Sequence, residues 1–200
     1  GKIFVFIDFS NVNKWFYNDR QSWNDEALKE DEKIEIDIEK LKEFTKNFSD
    51  RSRLYYGQNP GIVGSLAFTH VLRKVFGKRE VVTKDIQKIK HHLEISLDDK
   101  NPDHLKVDKD GKTYIEIHKC NFDVEITVDA CKMINHYDTF CIFSGDADFV
   151  YLHDYLKKKD KKVIIVKGGY ITTKLRESAD LVINAQRIKK YITKITKTKT

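Results

Sequence analysis

Unbroken apolar runs alternate along this chain with segments of helical periodicity. Residues 3–7 (IFVFI) run straight into Asp8, the pattern of a strand buried on both faces. The same type recurs at 139–143 (TFCIF) and 163–166 (VIIV), with shorter strands predicted at 53–56, 80–83 and 181–183. Between them, Asp37 is placed to cap a helix whose Ile38, Leu41, Phe44 and Phe48 repeat at helical spacing. A second helix over 62–76 carries Ile62, Leu66, Val71, Leu72, Val75 and Phe76, and Gly77 stops it. A third over 123–135 shows Val124, Val128, Cys131 and Ile134, and a fourth over 149–158 shows Phe149, Leu152, Tyr155 and Leu156.

Strands alternating with helices predict βαβ units, hence an α/β fold with a mostly parallel sheet covered on both faces. Two segments break the alternation. Residues 18–33 are highly polar and predict a surface loop. Residues 105–117 predict a hairpin, LKV and TYIEI around the turn DKDG. A calcium loop fits there less well than a turn, since Gly111 comes too soon and Lys119 stands at the twelfth position.

At 200 residues and 40% hydrophobic content the chain can bury one sizeable core. A single domain over 1–185 with a basic tail over 186–200 is expected. The tail expectation comes from charge. From Arg187 onward stand Lys189, Lys190, Lys194, Lys197 and Lys199 with no acid, which accounts for the net +6 and leaves the rest near neutral. Such an arm suits a polyanionic partner, or equally serves solubility alone. No apolar run approaches the roughly 20 residues of a membrane helix. The acid directly after residues 1–7 argues against a targeting segment. Cys120, Cys131 and Cys141 form no CxxC pair and no disulfide framework. A reducing cytoplasm is the expected location. His118-Lys119-Cys120 lacks a second ligand pair at zinc spacing.

Ligands of open parallel α/β sheets bind beyond the carboxyl ends of the strands. Asp8, Ser10 and Asn11 follow the first strand, and Ser144-Gly145-Asp146-Ala147-Asp148 follow the strand at 139–143. Asp123 opens a helix, with Asp129 about 120° further round it at ~100° per residue. Converging carboxylates repel by about 4 kcal/mol per pair at ~4 Å and an effective dielectric of 20. A divalent cation removes that penalty, and an all-oxygen set suits magnesium or manganese. Two such ions can hold a phosphodiester and activate water. Each acid also has a plain structural role open to it: Asp8 in an Asx turn, Asp123 and Asp148 as helix caps. Phosphate-loop, GxSxG and GxGxxG signatures are absent from the sequence. Trp15, Phe16 and Tyr17 are candidates for base stacking, with at least one expected in the core.

FIDFSNVN at 6–13, KCNFDVEITVDA at 119–130, FSGDADFVYL at 143–152 and ESADLVINA at 177–185 together resemble the NYN domain family. That family belongs to the PIN-like nuclease superfamily, and the chain is similar to its LabA-like branch. The resemblance implies a Rossmann-like three-layer α/β/α fold and divalent-metal-dependent cleavage of RNA. By matching motif it implies a catalytic metal site of Asp8, Asp123, Asp146 and Asp148. Asn11 would position the first acid or touch substrate, and Ser144 would support the loop. The lysine of the family pattern lies three residues before the helix aspartate; here Lys119, the substrate-binding candidate, lies four before Asp123. A second reading keeps the fold as a non-catalytic RNA-binding or interaction module. A Toprim-type domain would want a glutamate where Asp8 stands, and a haloacid-type phosphatase a second aspartate near it.

Overall fold

The computed structural model describes residues 1–92 and 105–198. The amino-terminal part contains β1 (Ile3–Asp8), α1 (Phe9–Val12), β2 (Glu32–Ile36), α2 (Ile38–Lys46), β3 (Arg51–Gln58), α3 (Val63–Phe76) and β4 (Val81–Asp85). An antiparallel arm follows, of β5 (Gln87–His92), β6 (Lys106–Val107) and β7 (Thr113–Lys119). The chain continues with α4 (Asp123–Lys132), β8 (Thr139–Phe143), α5 (Val150–Lys157), β9 (Lys162–Lys167) and α6 (Thr173–Glu177). It ends with β10 (Leu181–Asn184), α7 (Lys189–Ile192) and β11 (Thr193–Lys197).

Six strands make one parallel sheet in the order β10-β9-β8-β1-β3-β4. From β1 the chain builds outward through β3 and β4, then crosses back to lay β8, β9 and β10 on the other flank. The order therefore reverses between β1 and β8, which opens a crevice at their carboxyl ends. Both faces of β1 are sealed, as its apolar run requires. Val5 and Ile7 join a core with Leu41, Leu54, Leu72 and Phe143; Phe4 and Phe6 join a second with Tyr55, Ile126, Phe140 and Leu152. Helices α2, α3 and α7 supply the first core and α4, α5 and α6 the second, giving the three-layer α/β/α, PIN-like fold. Asp37 caps α2 as its position predicts, accepting the N–H groups of Glu39 and Lys40 at 3.1 Å.

Two helices turn a different face inward than their apolar residues indicate. In α4, Ile126 and Ala130 are buried, while Val124 is 72% and Val128 41% exposed. Polar contacts set this rotation: Asp129 accepts the Tyr55 hydroxyl at 2.9 Å and pairs with Arg53 Nη1 at 2.9 Å, holding that side of α4 on β3. In α3, Thr69, Leu72 and Phe76 are buried, and Val63, Leu66 and Val71 stay exposed.

The segment after Ala185 is also built differently from the expected free basic tail. Ile188 and Ile192 enter the first core, and β11 pairs antiparallel with β2 through Ile195 opposite Ile34. Lys189 is buried, with its ammonium 2.7 Å from Asp19 and donating to the Gln21 carbonyl at 2.6 Å. The alternation Thr-Lys-Ile-Thr-Lys is a strand pattern that the charged and polar neighbours of its single isoleucine make weak in the sequence. Lys199 lies outside the described residues. Of the loop expected over 18–33, residues 18–31 form a surface loop tied by a bridge between Gln21 and Ala27, while Glu32 and Lys33 already belong to β2.

The hairpin expected at 105–117 is present as β6 and β7, and β5 joins it on the other side of β7. Asp108 makes the turn by accepting the N–H groups of Asp110 and Lys112, each at 2.9 Å, and Gly111 takes φ +75°. Glycine takes a positive φ without the steric cost a side chain would bring. The calcium alternative finds no support in this turn, where Asp108 is spent on backbone donors.

Candidate functional site

The crevice between β1 and β8 collects the acids. Asp8 ends β1, is 6% exposed, and caps α1. Its Oδ1 accepts from the Ser10 hydroxyl at 2.6 Å and from Asn11 N–H at 3.4 Å, and its Oδ2 from the Ser144 hydroxyl at 3.2 Å. Ser144, buried just past β8, also accepts the Asp146 N–H at 3.3 Å. One serine thus ties the ends of the two strands that flank the reversal.

Asp146 caps a short turn at Ala147–Phe149 by accepting the Asp148 N–H at 3.0 Å. Asp123 stands at the first position of α4, with its N–H held by the Asn121 side-chain oxygen at 2.7 Å. Asn121 also donates to an Asp123 carboxylate oxygen at 2.5 Å. Among the described residues, Asp123, Asp146 and Asp148 bring carboxylate oxygens within 4.8 Å of one another. Asp8 lies beside this trio and feels Asp146 electrostatically.

Burial pushes the Asp8 carboxyl up, opposed by its hydrogen bonds from Ser10, Ser144 and Asn11 and reinforced by Asp146. Burial likewise raises Asp123, opposed by Asn121, with Asp146, Asp148 and Asp8 adding to the rise. Burial, with the neighbouring acids adding to it, thus pushes both carboxyls toward neutrality. A divalent cation with a preference for oxygen answers that donor set, and Asp123, Asp146 and Asp148 are the side chains placed to hold it.

The remaining sequence candidates divide. Asn11 braces the loop: its side-chain oxygen accepts the Trp15 indole N–H at 2.8 Å and the Gly145 N–H at 3.3 Å. Trp15 in turn stacks on Phe143 with ring centroids 6.0 Å apart and lies so close to Gly168 that a Cβ there would come within 2.5 Å of it. Phe16 is in the core, and Tyr17 is 78% exposed. Lys119 ends β7 with an exposed side chain.

Lysine charge beside α4 comes instead from Lys84 on β4. Its ammonium lies 2.8 Å from Glu125 and 4.8 Å from the Phe122 ring centroid. Sequence reasoning missed Lys84, Gln58 and Asp85, although the rule that found Asp8 applies to them: they end β3 and β4 on the same side of the sheet. Gln58 donates to Asp85 at 2.9 Å across those two ends. Asp129 is occupied by Tyr55 and Arg53, which makes it a clamp on α4.

The profile of the family described as NYN domain matches residues 2–186. Low amplitude and bright protein LabA of Synechococcus elongatus is 31% identical over 88 residues, 44% of this chain and 46% of that protein. The chain thus aligns with about half the length of this curated relative. A solved structure of a protein of unknown function from Vibrio parahaemolyticus superposes with a TM-score of 0.58 at 20% identity, covering 92% of this chain and 91% of that one. That likeness shows a common fold. Because the profile runs through all four motif blocks and every strand of the parallel sheet, the chain belongs to the NYN domain family.

Proposed function

We propose that this chain is a metal-dependent ribonuclease that hydrolyses RNA phosphodiester bonds with an activated water. The supporting observation is the meeting of Asp123, Asp146 and Asp148 within 4.8 Å at the strand reversal, beside buried Asp8, in a chain of a PIN-like nuclease family. Magnesium or manganese, when bound, supplies water activation and stabilises charge on the leaving oxygen. The chain's own contribution is placement. Ser144 keeps Asp8 and the 144–148 loop in register, Asn11 and Trp15 hold Gly145, and the Asp129 clamp fixes α4 and with it Asp123.

His153, the histidine nearest the acidic loop in sequence, is fully buried and bonded to Ser178, so it offers no base at the crevice. Three unpaired cysteines fit a cytoplasmic setting. Among the described residues no helix is long and apolar enough to cross a membrane.

Water attack leaves a 5′-phosphate and a 3′-hydroxyl and leaves the neighbouring 2′-hydroxyl unused. An RNA with a single 2′-deoxy substitution at the cleaved position is therefore cut in magnesium or manganese, and EDTA stops the reaction. Recovery of 2′,3′-cyclic phosphate ends, or cleavage that persists in EDTA, would overturn the mechanism. One observation favours the second reading, a non-catalytic RNA-binding or interaction module: both oxygens of Asp8 are already engaged by Ser10, Asn11 and Ser144. Binding of RNA without cleavage in either metal would select it.

A further inference from the structure

The antiparallel arm β5-β7-β6 adds little to either core: β5 is exposed along all six of its residues. Yet its roots are firm. Ile86 N–H continues the ladder by donating to the Gln58 carbonyl at 2.9 Å. At the other root Cys120 packs so closely on Gly57 that a Cβ at position 57 would meet its sulfur at 2.7 Å. The arm thus leaves the sheet at the carboxyl ends of β3 and β4, and β7 ends four residues before Asp123.

Register places Lys88, Lys90, His92 and Lys106 on one face with Tyr114 and Glu116, since residues directly opposite across a ladder share a side. Contacts agree with the register. Lys106 lies 3.3 Å and Lys88 4.0 Å from the same Glu116 carboxylate oxygen, and Lys90 sits 4.7 Å above the Tyr114 ring centroid. Among the described residues this face thus carries three ammonium groups and His92 against the carboxylates of Glu116 and Asp108, the latter 2.9 Å from His92 Nε2, and the Lys88 and Lys106 side chains are 48% and 53% exposed. Their partners on β7 lie one, three and five residues from Lys119. At about 3.4 Å per residue the backbone positions that carry these lysines climb away from the root in steps of about 7 Å, while the Lys88 and Lys106 ammonium groups lean together onto Glu116.

We infer that this face is a phosphate-backbone rail that holds the RNA strand away from the cleaved bond and leads it to the acidic crevice. The inference rests on the ribonuclease reading for its ligand. Contact is electrostatic and independent of sequence, as lysine ammonium groups meeting phosphates require. An acidic crevice repels a polyanion, and a basic rail rooted beside it supplies the missing attraction from a distance that does not compete with metal binding.

The test compares the full chain with Lys88→Gln/Lys90→Gln/Lys106→Gln, three exposed surface positions, using a 20-nucleotide unstructured RNA and a tetranucleotide. Binding is followed by fluorescence anisotropy in calcium and cleavage in manganese. Each lost single-strand phosphate contact removes ~0.7 from the log–log salt slope, so three remove about 2. Between 50 and 200 mM salt, wild-type affinity for the long RNA therefore falls roughly 15- to 20-fold more than that of the variant. KM for the long RNA rises while kcat is unchanged, and cleavage of the tetranucleotide, too short to reach the rail, is equal in both. A reverse variant, Glu116→Gln, tightens binding of the long RNA. An unchanged salt slope in the triple variant, with normal cleavage, overturns the rail and leaves the ribonuclease reading intact. The expected slope change with no cleavage by the wild type overturns the ribonuclease reading and leaves the rail. Failure of the wild type to bind either RNA overturns the rail.

Discussion

At Asp146 one carboxylate both caps the turn at Ala147–Phe149 and shares the crevice with Asp123 and Asp148. The two roles separate on substitution, because asparagine caps a helical turn about as well as aspartate but brings no charge. Asp146→Asn is expected to abolish cleavage while the metal-free protein melts at the same temperature or higher, since repulsion among the acids is relieved. A melting point lowered by several degrees would make Asp146 a structural cap and sink the metal assignment. That Asp8, Asp123, Asp146 and Asp148 stand at strand ends and helix starts was legible in the chain, because an acid directly after an apolar strand, or at a helix start, is a local pattern. Lys84 and the Trp15–Asn11–Gly145 brace were not. Their meaning lies in partners brought together by the sheet, and nothing local to Trp15 announces that Gly168 must leave room for it.

At the scale of elements, His153 joins α5 to α6 through Nδ1 and the Ser178 hydroxyl, 2.8 Å apart, beside the Phe140 ring. Burial pushes this imidazole down to about 4, with Lys157 pressing the same way and Asp154 opposing. Above the unfolded value of 6.5 both states are neutral there, and the group is silent. As pH falls from 6.5 toward 4 the unfolded chain gains a proton that the folded one refuses, so stability is lost across that window, by roughly 3 kcal/mol in all. Urea melts of the wild type are expected to show this acid-side slope, and His153→Asn, which keeps a nitrogen near Ser178, to flatten it; parallel profiles would clear His153.

The parallel strands were legible because each is apolar on both faces. The rotation of α4 was not, because Arg53 and Tyr55 on another element choose which side of it faces inward. Likewise β2 and β11 are weak alternations, each meaningful only once the other lies beside it.

For the whole molecule, the folded carboxyl-terminal segment changes what truncation does. Ending the chain after Gln186 removes Ile188 and Ile192 from the first core, strips β2 of its partner and leaves Asp19 without Lys189. Two buried isoleucines alone contribute about 3–6 kcal/mol. Thermal unfolding is expected to drop by about 10 °C or more for a chain of this size, whereas a merely solvated tail would leave it unchanged. The same wiring dictates a timetable during synthesis. Asp8 leaves the ribosome early, but the serine that completes its surroundings lies 136 residues later. At 5–20 residues per second that gap is roughly 7–27 s. Through this interval β1 has at most β3 beside it, and that only once residues 51–58 have been made, with its other flank bare and apolar. The nascent protein therefore passes through a stage in which its central strand is open to pairing with another chain, and the acidic crevice does not exist until the loop at 144–148 has been made.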